Sequence, residues 1–349
     1  MEVRGKPPIR ASVRHVGNPE RTNSSRFVDP LRSVGFESAP MDAPSDRSPA
    51  SSAGHAAAGV RGWREPGPWP RSPSAAAELL PGALPGAWLE ELFALTPEDW
   101  FRRMPGRETF PWPGHPELVV KRMVGGEARD YWHEAFRGEA RSPARREAEN
   151  LRALAAAGLP VPRALAWVEE DGARAHPRRG GRSALVIERV PVATDLRALL
   201  ERPAMDEKAR RERALRLEEL AGLVQRFHAA GWIHRDLYLH HGVLSERGEL
   251  CLFDLGRARH GRRHRSRWYV KDLAALLMSA PEAVTRSERW RFARRWFAGS
   301  GIHGRAAHRR WAERVERKAR RLGAHRPLTL DPGDPSDARL LADARGDLT

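Results

Sequence analysis

A single cysteine, Cys251, stands among 349 residues, which excludes an intramolecular disulfide and a four-cysteine zinc site and fits a reducing compartment. Long apolar runs are missing too. The best stretch, "LAALLMSA" at 273–280, falls far short of the roughly 20 residues that cross a bilayer. The basic N-terminus lacks the apolar core of a secretory signal. The expectation is a soluble cytoplasmic protein that at most docks on a membrane surface. Lysine is scarce, five against fifty-six arginines, so each lysine stands out. Acid is absent from residues 257–267, "RARHGRRHRSR", which carry six arginines, and rare in 286–321, where thirteen Arg/Lys face three Glu. These two stretches supply the whole net charge of +16. Charge so localised points to a polyanion such as a phosphorylated glycan, anionic lipid or nucleic acid, although an arginine-rich bias on two solvated helices would give the same count.

Residues 1 to about 80 are rich in Pro, Ser, Ala, Gly and Arg without periodicity. They cannot bury enough apolar surface to offset their ordering entropy, so disorder is expected there, and Met41 is a second candidate start. Order is expected from "AWLEELFALTPEDWF" (87–101), an amphipathic helix, followed by a hairpin of "ETFPW", the turn "PGHP" and "ELVVKRM" (117–123). "SPARREAENLRALAAAGLP" (142–160) predicts a helix capped by Ser142, with Pro143 in its first turn and Gly158 and Pro160 at its end. "SALVIERV" (183–190) reads as a buried strand, 214–231 as a helix ending at Gly231, "GELCLFDLG" (248–256) as a short hairpin strand, and 268–322 as mostly helical. This order predicts an α+β chain with a β-rich lobe at 87–192, a helical lobe at 193–325 and a flexible tail at 326–349.

Lys121 ends a strand of otherwise apolar residues. A compact ammonium there can hold phosphate oxygens if a carboxylate positions it. Glu147 on the next helix is the first candidate and Glu149 the second; the plainer alternative is a surface lysine and a solvent-facing glutamate. Further on, "GWIHRDLYLHHGVL" (231–244) places three histidines, an aspartate and a tyrosine in an apolar stretch, and Asp254 in "FDLG" follows Asp236 by eighteen residues. Two aspartates so placed suit phosphoryl transfer, one accepting the proton of the attacking hydroxyl and the other holding a metal against nucleotide phosphates. Taken singly, each reads as a turn or cap residue. The histidines read as metal ligands, packing residues or parts of a catalytic loop. A zinc site built on them lacks an obvious fourth ligand.

Together these motifs resemble the protein-kinase-like superfamily, and within it the lipopolysaccharide core kinases of the Kdo/WaaP family, over roughly residues 87–325. His234-Arg235-Asp236 match the kinase catalytic loop, with His241 where protein kinases carry a metal-binding Asn. "DLG" at 254–256 stands for Asp-Phe-Gly, and "WYVKDLAALLMS" (268–279) and the basic "RRWAERVERKARRL" also resemble the family. The resemblance implies a two-lobed protein-kinase-like fold with ATP and Mg²⁺ as cofactors, Mn²⁺ being conceivable beside a His ligand. Asp236 would be the base, Asp254 and His241 the metal ligands, and Lys121 with Glu147 the phosphate clamp. Glu188 and Val190, at the end of the hinge-like strand, would be further cofactor contacts. Asp272 would brace the catalytic loop, His234 would be structural, His240 is left open, and Tyr238 would pack or touch substrate.

No Gly-x-Gly-x-x-Gly precedes Lys121; the "GRET" turn with Arg107 as clamp is expected to cover the phosphates instead. Only eighteen residues separate Asp254 from Asp272, too few for a peptide platform, and the arginines between them disfavour the polycations bound by aminoglycoside kinases. The implied reaction is phosphorylation of a heptose or Kdo hydroxyl in lipopolysaccharide core, at the cytoplasmic face of the inner membrane, with helices 286–321 meeting anionic headgroups. The alternatives are a protein kinase of the same fold and a non-catalytic basic protein that binds membrane or nucleic acid. Nucleic acid is disfavoured, because Trp290, Trp296 and Trp311 are spaced for helix packing.

Overall fold

The computed structural model describes residues 60–64, 85–125, 141–170, 181–203, 206–261 and 265–324. The expected C-terminal tail 326–349 and the rest of the N-terminal stretch lie outside these residues, as do 262–264 of the arginine-rich segment.

Strands β1 (Val60–Arg64), β2 (Arg102–Met104), β3 (Arg107–Trp112), β4 (His115–Val124), β5 (Ala164–Glu170) and β6 (Arg182–Glu188) form one antiparallel sheet in the order β1-β5-β6-β4-β3-β2. β1 corrects the reading of 1–80 as wholly disordered. "VRGWR" pairs along β5 from Val60–Glu170 to Arg64–Ala166, and a Cβ on Gly62 would lie 3.0 Å from the Trp167 carbonyl and 3.2 Å from Pro85. A five-residue edge strand in a polar context has no periodicity of its own to read; its partner strand supplies the order.

Helix α1 (Pro85–Ala94) is shorter than the expected 87–101. It buries Trp88, Leu89 and Leu92 against Phe110, Leu118, Val120 and Val186, and Pro97 follows its end closely. Its last carbonyls are taken by Arg122, whose Nη1 donates to Phe93 O and Leu95 O at 2.9 Å each. Alternation along β4 therefore sorts two neighbouring cations. Leu118, Val120 and Arg122 face α1, and Val119, Lys121 and Met123 point to the opposite face.

Across that opposite face lies α2 (Pro143–Ala156), capped as expected by Ser142, whose hydroxyl accepts from Arg145 N at 3.1 Å. Gly158, at φ 69°, closes its C-terminus. The hairpin, the α2 helix and the strand at 183–190 thus form where their patterns predict.

The chain crosses to the second lobe at 189–191. There β7 (Val192–Asp195) joins a small sheet, and α3 (Leu196–Glu201) and α4 (Glu207–Ala229) follow. α4 begins seven residues earlier than the expected 214, because its first two turns are charged and carry no apolar stripe. Asp206 caps them, and buried Arg213 anchors them by donating to Leu200 O and Ala283 O at 2.6 Å each and to Glu288 at 2.7 Å. Then come β8 (Trp232–Ile233), β9 (Gly242–Ser245), β10 (Leu250–Leu252), β11 (Arg259–His260), α5 (Arg265–Ser279), α6 (Arg286–Ala298) and α7 (Arg305–Ala324). The three-stranded sheet runs β10-β9-β7, and β11 pairs with β8. Cys251 is buried in β10, where burial pushes its thiol up to about 12; it is a packing residue. No helix among the described residues is long and apolar enough to cross a membrane.

Candidate active site

The face of β4 that carries Lys121 looks onto the segments 234–241 and 253–257 of the second lobe. Lys121 Nζ pairs with Glu147 on α2, a carboxylate 3% exposed. Glu149 is engaged elsewhere, by Arg141 at 2.8 Å and Arg145 at 2.7 Å, so the first-choice partner is the one found. α2 also grips the segment after Asp254: Arg146 Nε donates to Gly256 O at 2.7 Å, and Asn150 Nδ2 to Leu255 O at 2.9 Å and Ala258 O at 3.0 Å. One helix therefore sets both Lys121 and Asp254. Gly256 makes this fit possible, since a Cβ there would stand 3.2 Å from Glu147 Oε2. We expect Gly256→Ala to displace the Glu147 carboxylate at a cost of about 1–2 kcal/mol, read as a drop of a few degrees in the thermal midpoint.

The turn expected at "GRET" begins one residue earlier. Pro105 and Gly106, φ 71°, make the β2–β3 turn, and Arg107 through Thr109 are already strand. That register aims Arg107 inward, and its Nη2 reaches Asp254 Oδ1 at 3.3 Å and Glu147 Oε2 at 4.0 Å. Burial pushes the Asp254 carboxyl up, but Lys121, Arg107 and the two nearby histidines outweigh it and hold the group at about 2. Asp254 is thus ionised in the fold throughout the neutral range.

Positive φ at a non-glycine residue occurs twice among the described residues, at Arg235 (φ 73°) and Asp254 (φ 54°), both in this site. Such backbone costs of order 1–3 kcal/mol and persists only where its surroundings hold it. Asp272, fully buried on α5, does so for the first loop: its carboxylate accepts from His234 N and Arg235 N at 2.8 Å each. His228 Nε2 lies 3.2 Å from the same carboxylate, and Trp296 Nε1 donates to His228 Nδ1 at 3.1 Å. The indole hydrogen fixes Nδ1 as acceptor, so Nε2 carries the proton toward Asp272.

The three loop histidines separate cleanly. His234 is fully buried, its Nε2 donates to Phe253 O at 3.0 Å, and burial keeps it from protonating near neutrality; it holds the Asp254 segment in place. His240 stacks on Tyr238 with centroids 5.5 Å apart, and burial likewise draws it down. His241 has Nδ1 2.8 Å from Asp236 O and Nε2 3.6 Å from Asp254 Oδ2. A carbonyl only accepts, so the neutral ring has its proton on Nδ1 and turns the Nε2 lone pair toward the Asp254 carboxylate. Two acceptors facing each other across that gap fit a cation. Among the described residues no third His, Cys, Asp or Glu joins them.

Asp236 faces Arg257 Nη1 at 3.0 Å through Oδ2 and Lys271 Nζ at 3.5 Å through Oδ1. Burial draws Lys271 down, against the pull of Asp236 and Asp272. Neither cation was singled out from the sequence. Arg257 has no signal among fifty-six arginines, whereas the rarity of lysine would have marked Lys271. The hinge residues lie where the strand ends: Glu188 N donates to Arg163 O at 2.9 Å, Arg189 N to Glu117 O at 2.8 Å, and Val190 makes no backbone hydrogen bond among the described residues.

A β-rich lobe with a lysine–glutamate pair, joined by a hinge to a helical lobe with Asp236 and Asp254 on facing loops, defines a protein-kinase-like fold. The model of the lipopolysaccharide kinase (Kdo/WaaP) family matches residues 114–296, and the chain belongs to that family. It is 35% identical over 168 residues to the lipopolysaccharide core heptose(I) kinase WaaP of Pseudomonas aeruginosa, a match covering 44% of this chain and 59% of the relative. It is 33% identical over 96 residues to the enzyme of the same name from Escherichia coli, covering 25% of this chain and 36% of the relative. The chain thus spans less than two thirds of the length of the curated relatives it matches. A solved structure of WaaP in complex with acyl carrier protein superposes with a TM-score of 0.53 at 28% identity, covering 75% of this chain and 99% of that one.

Proposed function

We propose that this chain is an ATP-dependent phosphotransferase that phosphorylates a sugar hydroxyl, of heptose or Kdo, in lipopolysaccharide core. The observation that carries the reading is the convergence of Asp236, Asp254 with His241, and Lys121 with Glu147 on one cleft, in a family whose relatives bear heptose kinase names. Lys121, held by Glu147, and Arg107 would bind phosphate oxygens, and Glu188 and Val190 the base end of the nucleotide. Asp236 would take the proton of the acceptor hydroxyl. Asp254 and His241 would hold the Mg²⁺, with Mn²⁺ also suited to the imidazole; the bound ion would neutralise charge developing on the phosphates.

The short path from Asp254 to Asp272 leaves no room for a peptide-binding platform, which speaks for a compact acceptor. Arg257 beside the base gives that acceptor a cationic wall, which suits a sugar already bearing phosphate or carboxylate. On α7, Arg310, Arg314, Arg317 and Arg321 follow one another at helical spacing, and none has a carboxylate within ion-pair distance among the described residues. This stripe would seat the protein on anionic headgroups at the cytoplasmic face of the inner membrane, at about 1 kcal/mol per well-placed basic residue. Co-sedimentation with anionic vesicles should then collapse as salt rises; salt-insensitive binding would remove that role.

The decisive test incubates the protein with ATP, Mg²⁺ and dephosphorylated core oligosaccharide, with mass spectrometry as the readout. One added phosphate on the sugar is the expected product. ATP turnover with no glycan product would keep the phosphotransferase and discard the acceptor.

A further inference from the structure

Between Asp236 and the end of its loop the residues are Leu237, Tyr238, Leu239, His240 and His241, so the loop brings no permanent cation of its own to the base. Two arrive from other elements, Arg257 at 3.0 Å from Asp236 Oδ2 and a lysine on the side of Oδ1. Lys271, on α5 immediately before the bracing Asp272, donates from Nζ to Arg235 O and stands 3.5 Å from Asp236 Oδ1. The Trp268 ring, 5.8 Å from Nζ, flanks it. The side chain is 22% exposed while its ammonium is anchored on Arg235 O. With five lysines in the chain against fifty-six arginines, the two that line this cleft are Lys121 and Lys271. Chemistry gives a reason for lysine here. The Arg257 guanidinium already holds Asp236 Oδ2 at 3.0 Å; a second fork on Oδ1 would tend to sequester the base between two planar cations, whereas the Lys271 ammonium touches Oδ1 and still presents a hydrogen elsewhere.

We propose that Lys271 is a catalytic cation, which holds Asp236 against the acceptor hydroxyl and contacts the phosphoryl group in transfer. This rests on the phosphotransferase reading above. As the acceptor oxygen forms its bond to phosphorus, its proton passes to Asp236 and the bond from phosphorus to the departing ADP oxygen breaks. Lys271 keeps its three protons throughout and offsets the charge spread over the equatorial oxygens.

The test compares Lys271→Met, Lys271→Arg and the exposed control Lys208→Met in the full chain. ATP affinity is measured by titration, and turnover is measured both with core oligosaccharide and as ATP hydrolysis without acceptor. We expect Lys271→Met to lower kcat about 10²–10³-fold while ATP affinity stays within about threefold and the protein stays folded. Lys271→Arg should recover part of kcat, and Lys208→Met should match the wild type. A kcat for Lys271→Met within about threefold of wild type overturns the proposal. So does joint loss of folding and ATP binding in both Lys271 variants, which would make Lys271 a strut between α5 and the loop. A wild-type protein that neither binds nor turns over ATP would instead bring down the phosphotransferase reading itself.

Discussion

Asp236→Asn should lower phosphoryl transfer by about 10²–10⁴-fold while leaving nucleotide affinity near the wild-type value. The two halves of that expectation come from different places in the cleft. Asp236 contacts Arg257 and Lys271, not the Lys121–Glu147 pair, so neutralising it removes the proposed proton acceptor without touching the proposed phosphate clamp. The amide keeps the shape, and a loss in kcat would report proton transfer, not packing. Asp254→Asn should behave in the opposite sense, because Asp254 faces Arg107 at 3.3 Å and His241 at 3.6 Å. Without its charge the metal–nucleotide affinity falls first, and rising Mg²⁺ should restore part of the rate. The pH dependence separates them further. With its pKa depressed from 3.8 to about 2, Asp254 lends the fold a stability that is complete above the unfolded value and is lost as pH falls through about 2. Acid inactivation seen between pH 4 and 6 must therefore come from another group. A profile in which both variants lose kcat and ATP affinity together would deny the division of labour.

Much of that site could be read from the chain before its fold was known, and the reasons are local. Lys121 stood out because lysine is rare here and because it ends a strand of otherwise apolar residues. Asp236 and Asp254 stood out by their separation in apolar, turn-like contexts, and His241 only through the family resemblance, at the place where protein kinases carry an Asn. Helix α2 was visible in its cap and periodicity, yet the duties of Arg146 and Asn150 were not. Their partners lie 105 to 110 residues away, and no pattern within a helix states which loop it will clamp. Arg257 was hidden by composition. The edge strand at Val60–Arg64 was hidden because its order belongs to β5. The turn before Arg107 was misplaced by one residue, although Pro105-Gly106 is a strong turn signal; the resemblance drew attention to "GRET" in place of the glycines themselves. Local chemistry was legible, and tertiary reach was not.

Asp272→Ala should be the most damaging single change to the fold of this site, at a cost on the order of 3–5 kcal/mol. The carboxylate is fully buried and serves three donors at once: His234 N, Arg235 N and His228 Nε2. Its removal strands two backbone amides on a loop already held at φ 73°, and each orphaned buried donor carries its desolvation penalty. Arg235 should then relax from the left-handed region and carry Asp236 with it, so activity falls even in the fraction that remains folded. A domain of this size loses about 2–4 °C per kcal/mol, which puts the expected fall in the thermal midpoint near 10 °C. Trp296→Phe offers the graded control. It removes only the indole donor to His228 Nδ1 and frees that ring to adopt the other tautomer, with a net loss of about 1 kcal/mol and a smaller fall in kcat. Paired in a double variant, the two changes should cost less than their sum, because with Asp272 gone the His228 tautomer no longer matters. Strict additivity would show that Trp296 merely packs, and that the bracing of the catalytic loop ends at Asp272.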